Sequence, residues 1–430
     1  MRMRICSTCS TPLGMREAYD FEEIRLDVFP NLPDGCGENT IATLAGKDIS
    51  LIPKGFPGLV DVAESNVPAS FRCIRSIHDF NSTPSSDSIV KMLSDGEQEI
   101  SKGAFLASSF TDLHNIYIAS KKLDRKHVLL GMGDTGQITR LRQKLLDNEF
   151  TFGYLDGPTA PGQFSARELD ELGDDCMVVG ITGNPVTHSK SPKMQNAAID
   201  AADLNAIYLR FGSPDLDHMR DVMCEYDIIG MNVTIPHKQD VIQQMDSVSK
   251  VAETVGAVNT VINDGGWFKG ENTDVEGVLR TFENIELNGK KVLIMGSGGA
   301  ARAAGYAFME SGSDTFVTGR NKLTVDSLCR DLGTERIDAP SAEGFDIVVN
   351  CTPIGMYTDG RYPADVTRLN EKQTVFDMVY GIVTPLIAAA KEAGCTVRDG
   401  SDMLVGQGAA SFEHWFGRKP NTRTMKEALI

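Results

Sequence analysis

What the sequence lacks narrows it first. No apolar run approaches the roughly 18 residues of a membrane-spanning helix, and the opening Met1-Arg-Met-Arg-Ile-Cys6 lacks the apolar core, about 7–15 residues long, of a secretory signal. A cytoplasmic location is therefore expected. Excess positive charge is missing too: the formal net charge is −17, opposite to the basic face a nucleic-acid partner would want, and it reads as a solvated acidic surface. Nor is there a disulfide framework, since nine cysteines, an odd number scattered along 430 residues, point to a reducing compartment. Cys6-x-x-Cys9 has metal or redox spacing, but without a second pair or a nearby histidine it reads as two strand-end thiols. There is no long internal repeat and no low-complexity tract.

What is present is ample for folding: a hydrophobic content of 41% and a length that predicts roughly three domains of about 150 residues each. The stretch Lys291–Arg302 stands out. Four apolar residues read as a buried parallel strand, followed by Gly296, Gly298 and Ala301 in the pattern G-x-G-x-x-A at the start of a helix running from Ala301 to about Met309. Gly296 permits the tight turn, Gly298 lets backbone approach a pyrophosphate, and Ala301 lets helix and strand pack closely. Gly296, Ser297, Gly298, Gly299, Ala300 and Ala301 are thus candidates to bind a dinucleotide.

Upstream, eight short apolar runs predict strands: Arg4–Thr8, Glu23–Phe29, Thr40–Leu44, Gly58–Ala63, Phe71–His78, Ile100–Leu106, His127–Met132 and Phe150–Tyr154. They suggest a (β/α)8 barrel, a compact one, with helices only at Ser86–Leu93, Phe110–Lys121 and Gln137–Leu146, because the early spacers are rich in Pro and Gly. Ser165–Asp175 reads as helix and linker. A second α/β pattern follows, with strands at Met177–Thr182, Ala206–Phe211 and Gly230–Thr234 and helices near Lys193–Ala202, Leu216–Tyr226 and Gln239–Ser247. Strands near Thr315–Thr318, Ile347–Asn350 and Val375–Met378 complete the unit opened by the glycine loop.

Polar clusters stand at the ends of these strands, where open α/β sheets place their ligands. Gly183-Asn-Pro-Val-Thr-His-Ser-Lys-Ser-Pro192, Asn232-Val-Thr-Ile-Pro-His-Lys238, Ala257-Val-Asn-Thr260, Gly270-Glu-Asn-Thr-Asp274, Asn350-Cys-Thr-Pro-Ile-Gly355 and Asp402-Met-Leu-Val-Gly-Gln407 together resemble the shikimate dehydrogenase family over about residues 176–430. The resemblance implies that Ser189 and Ser191 bind the substrate carboxylate, and that Thr234, Asn259, Asn272, Tyr380 and Gln407 meet its hydroxyls or ring. It implies Lys238 and Asp274 as the catalytic pair, fitting a reaction in which hydride reduction of a ring ketone needs a proton for the developing alkoxide. His188 and His237 are read as solvent-facing or packing residues. The second strand of this unit, the first after the glycine loop, ends Thr318-Gly-Arg-Asn-Lys322, where the absence of a carboxylate and the presence of arginine predict NADP. Arg320 is the main expected 2′-phosphate contact, with Asn321 and Lys322 beside it; Gly319 stands where the family often has asparagine, and a second arginine near Thr324 is missing.

The front half is similar to type I 3-dehydroquinate dehydratase over about residues 4–165, through Glu23-Ile-Arg25-Leu-Asp27, Ser76-Ile-His78-Asp-Phe, Lys102-Gly-Ala104, Thr139-Arg140 and Ala160-Pro-Gly-Gln163. That resemblance implies that Lys102 forms a Schiff base and that His78 is the general acid/base, oriented by Glu23. Arg25, Arg140, Thr159 and Gln163 would then bind substrate. The family's arginine on strand three is missing from Thr43–Asp48, the acidic residue of the following loop has no clear match, and Lys102 precedes a glycine where the family has a larger apolar residue.

The expected architecture is a compact (β/α)8 barrel followed by a two-domain shikimate dehydrogenase-like unit with a Rossmann NADP domain. Its boundaries are residues 1–172 for the barrel, 173–282 completed by 401–430 for the substrate domain, and 283–400 for the cofactor domain. The expected activity converts 3-dehydroquinate to 3-dehydroshikimate and then to shikimate. The partners expected are these small molecules and neither nucleic acid nor membrane, with a homodimer allowed for, and no motif calls for a metal. Three other readings stay open: a silent barrel serving as scaffold, an NAD(P)-binding sensor, and a quinate-type dehydrogenase using NAD.

Overall fold

The computed structural model describes residues 2–9, 19–29, 31–63, 70–338, 341–356 and 362–430. The chain divides into two compact units, Met1–Thr187 with Asn205–Ile229, and His188–Leu204 with Gly230–Ile430.

The first unit opens with eight strands: β1 (Ile5–Thr8), β2 (Phe21–Arg25), β3 (Thr40–Thr43), β4 (Leu59–Val62), β5 (Arg72–Asp79), β6 (Ile100–Leu106), β7 (His127–Met132) and β8 (Thr151–Tyr154). They form one parallel sheet in the order β7-β6-β5-β4-β3-β2-β1-β8. The ends of that sheet come together through a parallel bridge between His127 and Asn148, and the Asn148 side chain accepts from Leu129 N at 2.7 Å and donates to Leu129 O at 2.9 Å. An amide thus stands in for the ladder that would close the barrel.

Side chains alternate along each strand, so the interior is built in layers. The lower layer takes one apolar residue from every strand: Cys6, Phe21, Ile41, Leu59, Ile74, Ile100, Val128 and Phe150, all buried in a single cluster. Two residues further along the strands the layer turns polar, with Thr8, Glu23, Thr43, Asp61, Ser76 and Lys102 alongside Leu130 and Phe152. The apolar floor holds the barrel together and the layer above it is free to carry chemistry at the C-terminal end of the strands.

Helices follow the later strands: α1 (Ser86–Ser94), α2 (Phe110–Lys122), α3 (Gly133–Gly136), α4 (Ile138–Leu141) and α5 (Ala166–Leu172). Ser85 and Ser109 cap α1 and α2, and Ser165 with Glu168 forms a capping box on α5. The helix expected at Gln137–Leu146 is cut down to the single turn of α4, directly after α3; the Thr139 hydroxyl accepts from Gly131 N and donates to Gly136 O, fixing the chain to strand β7. The chain continues as β9 (Met177–Gly183), α6 (Ser191–Ala201), β10 (Ala206–Gly212) and α7 (Met219–Glu225). Strands β9 and β10 pair in parallel, and they and α7 belong to the first unit.

In the second unit, which takes up β11 (Ile228–Val233) from Gly230 onward, β12 (Ser247–Val248), α8 (Lys250–Val255), β13 (Thr260–Asp264), β14 (Trp267–Glu271) and α9 (Thr273–Thr281) lead to the glycine loop. The helix expected at Gln239–Ser247 is instead a 3-10 turn at Asp240–Gln244, since Ser247 and Val248 are drawn into pairing with Lys269 and Gly270 of β14. The cofactor-type sheet contains β15 (Lys291–Met295), β16 (Asp314–Thr318), β17 (Glu335–Arg336), β18 (Ile347–Asn350), β19 (Thr374–Asp377) and β20 (Thr396–Asp399), with α10 (Gly299–Glu310), α11 (Lys322–Leu332) and α12 (Pro385–Glu392). Its order, β17-β16-β15-β18-β19-β20, is parallel throughout and reverses at β15, the switch point where the loop lies. Helices α13 (Gly400–Phe416) and α14 (Thr422–Glu427) end the chain. Helices α9 and α13 cross closely because a Cβ at Gly277 would sit 2.8 Å from Met403 O.

Candidate active sites

In the first unit a cavity of about 330 Å³ opens at the C-terminal end of the barrel strands, with Lys102 in its wall. Register explains the company it keeps. Ser76 lies opposite Lys102, and His78 lies opposite Ala104, so His78 is one inward-facing step above the lysine on the neighbouring strand. Lys102 Nζ is 2.9 Å from Asp61 Oδ2 and 4.2 Å from the centre of the Phe152 ring; the two side chains of the ion pair are 8% and 3% exposed. Asp61 also accepts from the Ser76 hydroxyl. Burial pulls the Lys102 ammonium down, but Asp61 above all and then Glu23 outweigh it, leaving its pKa raised.

His78 stands at the open rim, stacked on Phe80 at 6.1 Å. The wall around it, and then the Lys102 charge, hold its pKa below the ordinary imidazole value. Glu23 does not orient it by a hydrogen bond: the carboxylate accepts from Thr8 at 2.6 Å and Thr43 at 2.7 Å, and it reaches His78 as charge only. The difference arises because Thr8 and Thr43 flank Glu23 in the same interior layer. Arg140 is fully buried and its Nη1 donates to Gly131 O at 2.6 Å. Its Nε has no hydrogen-bond partner among the described residues, and burial pushes its pKa down to about 10. A guanidinium desolvated in this way and lining a cavity suits an anionic ligand.

Arg25 lines the same cavity but its fork is spent on Asp27, at 3.1 and 2.7 Å. Gln163 Oε1 accepts from Thr159 N and its hydroxyl, which leaves the Gln163 amide nitrogen available to a ligand. Sequence reasoning missed Asp61. Its signal was a carboxylate inside the apolar run Leu59-Val-Asp-Val62, at the inward parity.

The second unit holds a different arrangement. Lys238, 20% exposed, donates to Asp274 Oδ2, while Asn259 Nδ2 donates to Asp274 Oδ1 at 2.8 Å. Asn272 caps α9 through Asp274 N and donates to Ala257 O at 2.8 Å. Behind them a buried hydroxyl and amide network of Asn232, Thr260, Thr273 and Ser411 locks Asn259, whose Oδ1 accepts from Thr273 N at 2.7 Å. This lattice fixes the carboxylate against which the lysine rests.

Of the other expected residues, Ser191 is buried and its N donates to Ser189 Oγ at 3.2 Å. Gln407 donates to Leu404 O at 2.9 Å on α13, Thr234 O accepts from His237 N, and burial raises the Tyr380 phenol. Lys190, unremarked in the sequence, stands 3.5 Å from where a Cβ of Gly381 would be, beside Tyr380. His188 is exposed and His237 buried, as the sequence reading allowed.

The glycine loop suits a dinucleotide. Gly296 has φ 125°, where a side chain would be strained and press on Cys351 O at 3.1 Å. Gly298 caps α10 with no side-chain bond, so the first N–H groups of that helix are left for an anion, and nothing lies within 4 Å of its Cβ direction. A Cβ at Gly299 would lie 3.6 Å from Lys238 Cδ, which puts the loop next to the lysine. Downstream, Arg320 is exposed; Asn321 is occupied in capping α11, and Lys322 is 3.4 Å from Asp338. Ser297 and Thr324 hydroxyls meet at 2.7 Å, closing the loop over the start of α11.

A Rossmann sheet with a lysine–aspartate pair at its glycine loop defines an NAD(P)-type oxidoreductase, here joined to a barrel with a buried lysine. Residues 181–261 match the shikimate dehydrogenase substrate binding domain, residues 400–430 the shikimate 5′-dehydrogenase C-terminal domain, and residues 59–173 type I 3-dehydroquinase. The shikimate dehydrogenase (NADP(+)) of Shouchella clausii is 37% identical over 58% of this chain and 96% of its own. The chain belongs to the shikimate dehydrogenase family. The bifunctional 3-dehydroquinate dehydratase/shikimate dehydrogenase of Arabidopsis thaliana is 29% identical and spans 81% of this chain, which covers 64% of that longer protein. Among solved structures, shikimate 5-dehydrogenase of Thermus thermophilus in complex with NADP(H) and shikimate superposes with a TM-score of 0.56 at 31% identity, over 59% of this chain and 98% of that one.

Proposed function

We propose that this chain is a bifunctional enzyme that dehydrates 3-dehydroquinate to 3-dehydroshikimate in its barrel and reduces that product to shikimate with NADPH in its second half. The observation that carries the reading is a lysine seated against a carboxylate in each half, one in a cavity that a buried arginine also lines and the other beside a glycine loop at a helix N-terminus. The functional boundaries we assign are 1–172 for the dehydratase, 173–282 with 401–430 for the shikimate-binding part, and 283–400 for the NADP part. No helix among the described residues is long and apolar enough to cross a membrane, and we place the enzyme in the cytoplasm.

In the barrel, Lys102 must shed a proton before its amine attacks the substrate ketone, and Asp61, 2.9 Å away, is placed to take it. Loss of water from the adduct gives a protonated imine, whose positive charge withdraws electrons and acidifies the adjacent C–H. His78 removes that proton and returns one to the departing hydroxyl. Arg140 receives the substrate carboxylate, with Gln163 and Thr159 at its hydroxyls and Glu23 holding the negative charge of the layer. Hydrolysis of the imine restores Lys102.

In the second half, NADPH when bound supplies hydride to the ring ketone. Lys238 delivers the proton to the developing alkoxide, and Asp274, locked by Asn259, holds the lysine in place through its hydrogen bond. Ser189 and Ser191 meet the carboxylate, and Thr234, Asn272, Tyr380 and Gln407 the hydroxyls and ring. Arg320 reads the 2′-phosphate; Asn321 and Lys322 act behind it by shaping the start of α11.

The test uses the chain alone with 3-dehydroquinate and NADPH, following NADPH loss. Turnover there supports both activities. No turnover, with 3-dehydroshikimate itself reduced, leaves the dehydrogenase alone and makes the barrel a scaffold. Arg320→Ala should raise the KM for NADPH about 10-fold or more and leave NADH use unchanged; a native preference for NADH would instead favour a quinate-type enzyme.

A further inference from the structure

Away from both sites, helices α2 and α7 of the first unit carry a cluster that neither activity uses. His114 of α2 and His218, at the start of α7, stack with ring centres 4.2 Å apart and planes 6° from parallel. They lie 104 positions apart in sequence and are brought together only by folding. Each imidazole Nδ1 is paired with a carboxylate on α7: His114 with Glu225 Oε1 at 2.8 Å, and His218 with Asp221 Oδ2 at 2.8 Å. One donor atom from each of His114, His218 and Asp221 falls within 4.8 Å of the others.

Two further observations set this cluster apart from an ordinary surface ion pair. Glu225, 13% exposed, keeps its second oxygen, Oε2, buried and without a hydrogen-bond partner among the described residues. His218 is held at φ 61°, the left-handed region that a histidine adopts at a cost, and that conformation starts the helix carrying both carboxylates.

We propose that His114, His218 and Asp221 form a binding site for a divalent transition-metal ion of the zinc class, with Glu225 as the carboxylate that orients His114. Two imidazoles and a carboxylate are the donor set such ions prefer over calcium or magnesium, which want oxygen. Tetrahedral binding needs metal–ligand distances of about 2.0–2.2 Å, hence donors roughly 3.3 Å apart. To reach that spacing the side chains must rotate and the stacked rings must tilt apart so that their nitrogen lone pairs converge, and all three are at least partly exposed. Water from the open side completes the shell. The ion would fasten α2, which directly follows the strand bearing Lys102, to α7, so its role is structural.

Untagged full-length protein, stripped with a chelator, is titrated with Co2+ and with Zn2+. The expected result is saturation near one equivalent, a visible Co2+ spectrum of four-coordinate type, and a rise in Tm with added Zn2+. His114→Ala and His218→Asn, the latter chosen because asparagine tolerates the left-handed backbone, should each abolish the spectrum. Glu225→Gln should weaken binding about 10–100-fold. Both enzyme activities of each variant serve as the check that it is folded. Absence of saturable binding below about 1 mM, or binding unchanged in folded His114→Ala and His218→Asn, overturns the proposal.

Discussion

The two lysine–carboxylate pairs look alike on paper but are mounted differently, in keeping with the opposite duties proposed for them. Lys102 projects from a strand into a closed layer, 8% exposed, over an aromatic ring, and its carboxylate partner sits on the strand two along in the sheet order. Lys238 projects from a loop, 20% exposed, onto an aspartate in the first turn of α9, next to the turn that would hold the cofactor. A nucleophile must lose its proton and must not leave the substrate, which favours rigid walls and a nearby acceptor. A proton donor must regain its proton each cycle, which favours a position water can reach. The comparison teaches that exposure and mounting, rather than the residue pair, distinguish the two proposed roles.

The sharpest way to break that distinction is Lys102→Ala. Dehydratase turnover should fall to background and borohydride with 3-dehydroquinate should leave no adduct at position 102, while shikimate oxidation by the same preparation is unchanged; a remaining adduct would remove the Schiff base. Lys238→Ala should lower kcat of the reductase about 10²–10⁴-fold with little change in KM, the pattern of an interaction made in the transition state, and leave dehydration intact.

Asp61→Asn probes what burial adds. Breaking a buried pair costs about 3–5 kcal/mol, so unfolding by denaturant at neutral pH should show a loss of that order. The sign with pH follows from the raised Lys102 pKa: the wild-type pair stabilises the fold fully below the ordinary lysine value of about 10.4 and loses that contribution as pH climbs through the higher folded value. The difference between wild type and variant should therefore shrink at alkaline pH; a gap that widens there contradicts the assignment. The smallest effect expected is on the pH profile. Since His78 is held below the ordinary imidazole value of about 6.5, the acid limb of dehydratase kcat/KM should lie below that pH, and a limb at or above it would show that another group is the base.

Much of this could be read in the chain. Seven of the eight barrel strands coincide closely with the short apolar runs, because a parallel strand buried on both faces leaves a nearly continuous hydrophobic signature; β2, Phe21–Arg25, overlaps the run expected at Glu23–Phe29 only over Glu23–Arg25. The glycine loop was legible because its φ and close approaches admit few residues. Where the reading failed, a distant partner had intervened: pairing with β14 replaced the helix expected at Gln239–Ser247, and Thr8 and Thr43 took the carboxylate expected to orient His78. Asp61 was visible as a polar residue in an apolar run, but only the barrel's closure put it against Lys102, 41 positions away.

The sequence by itself determined the local elements, the two families its halves resemble and the residue types available for chemistry, since propensity, periodicity and turn geometry act over a few neighbouring residues. Only the tertiary structure decided which side chains share a layer, which arginine is buried in the cavity wall, and that His114 stacks on His218. Those outcomes depend on strand register and helix packing, which bring together residues with no local means of specifying each other.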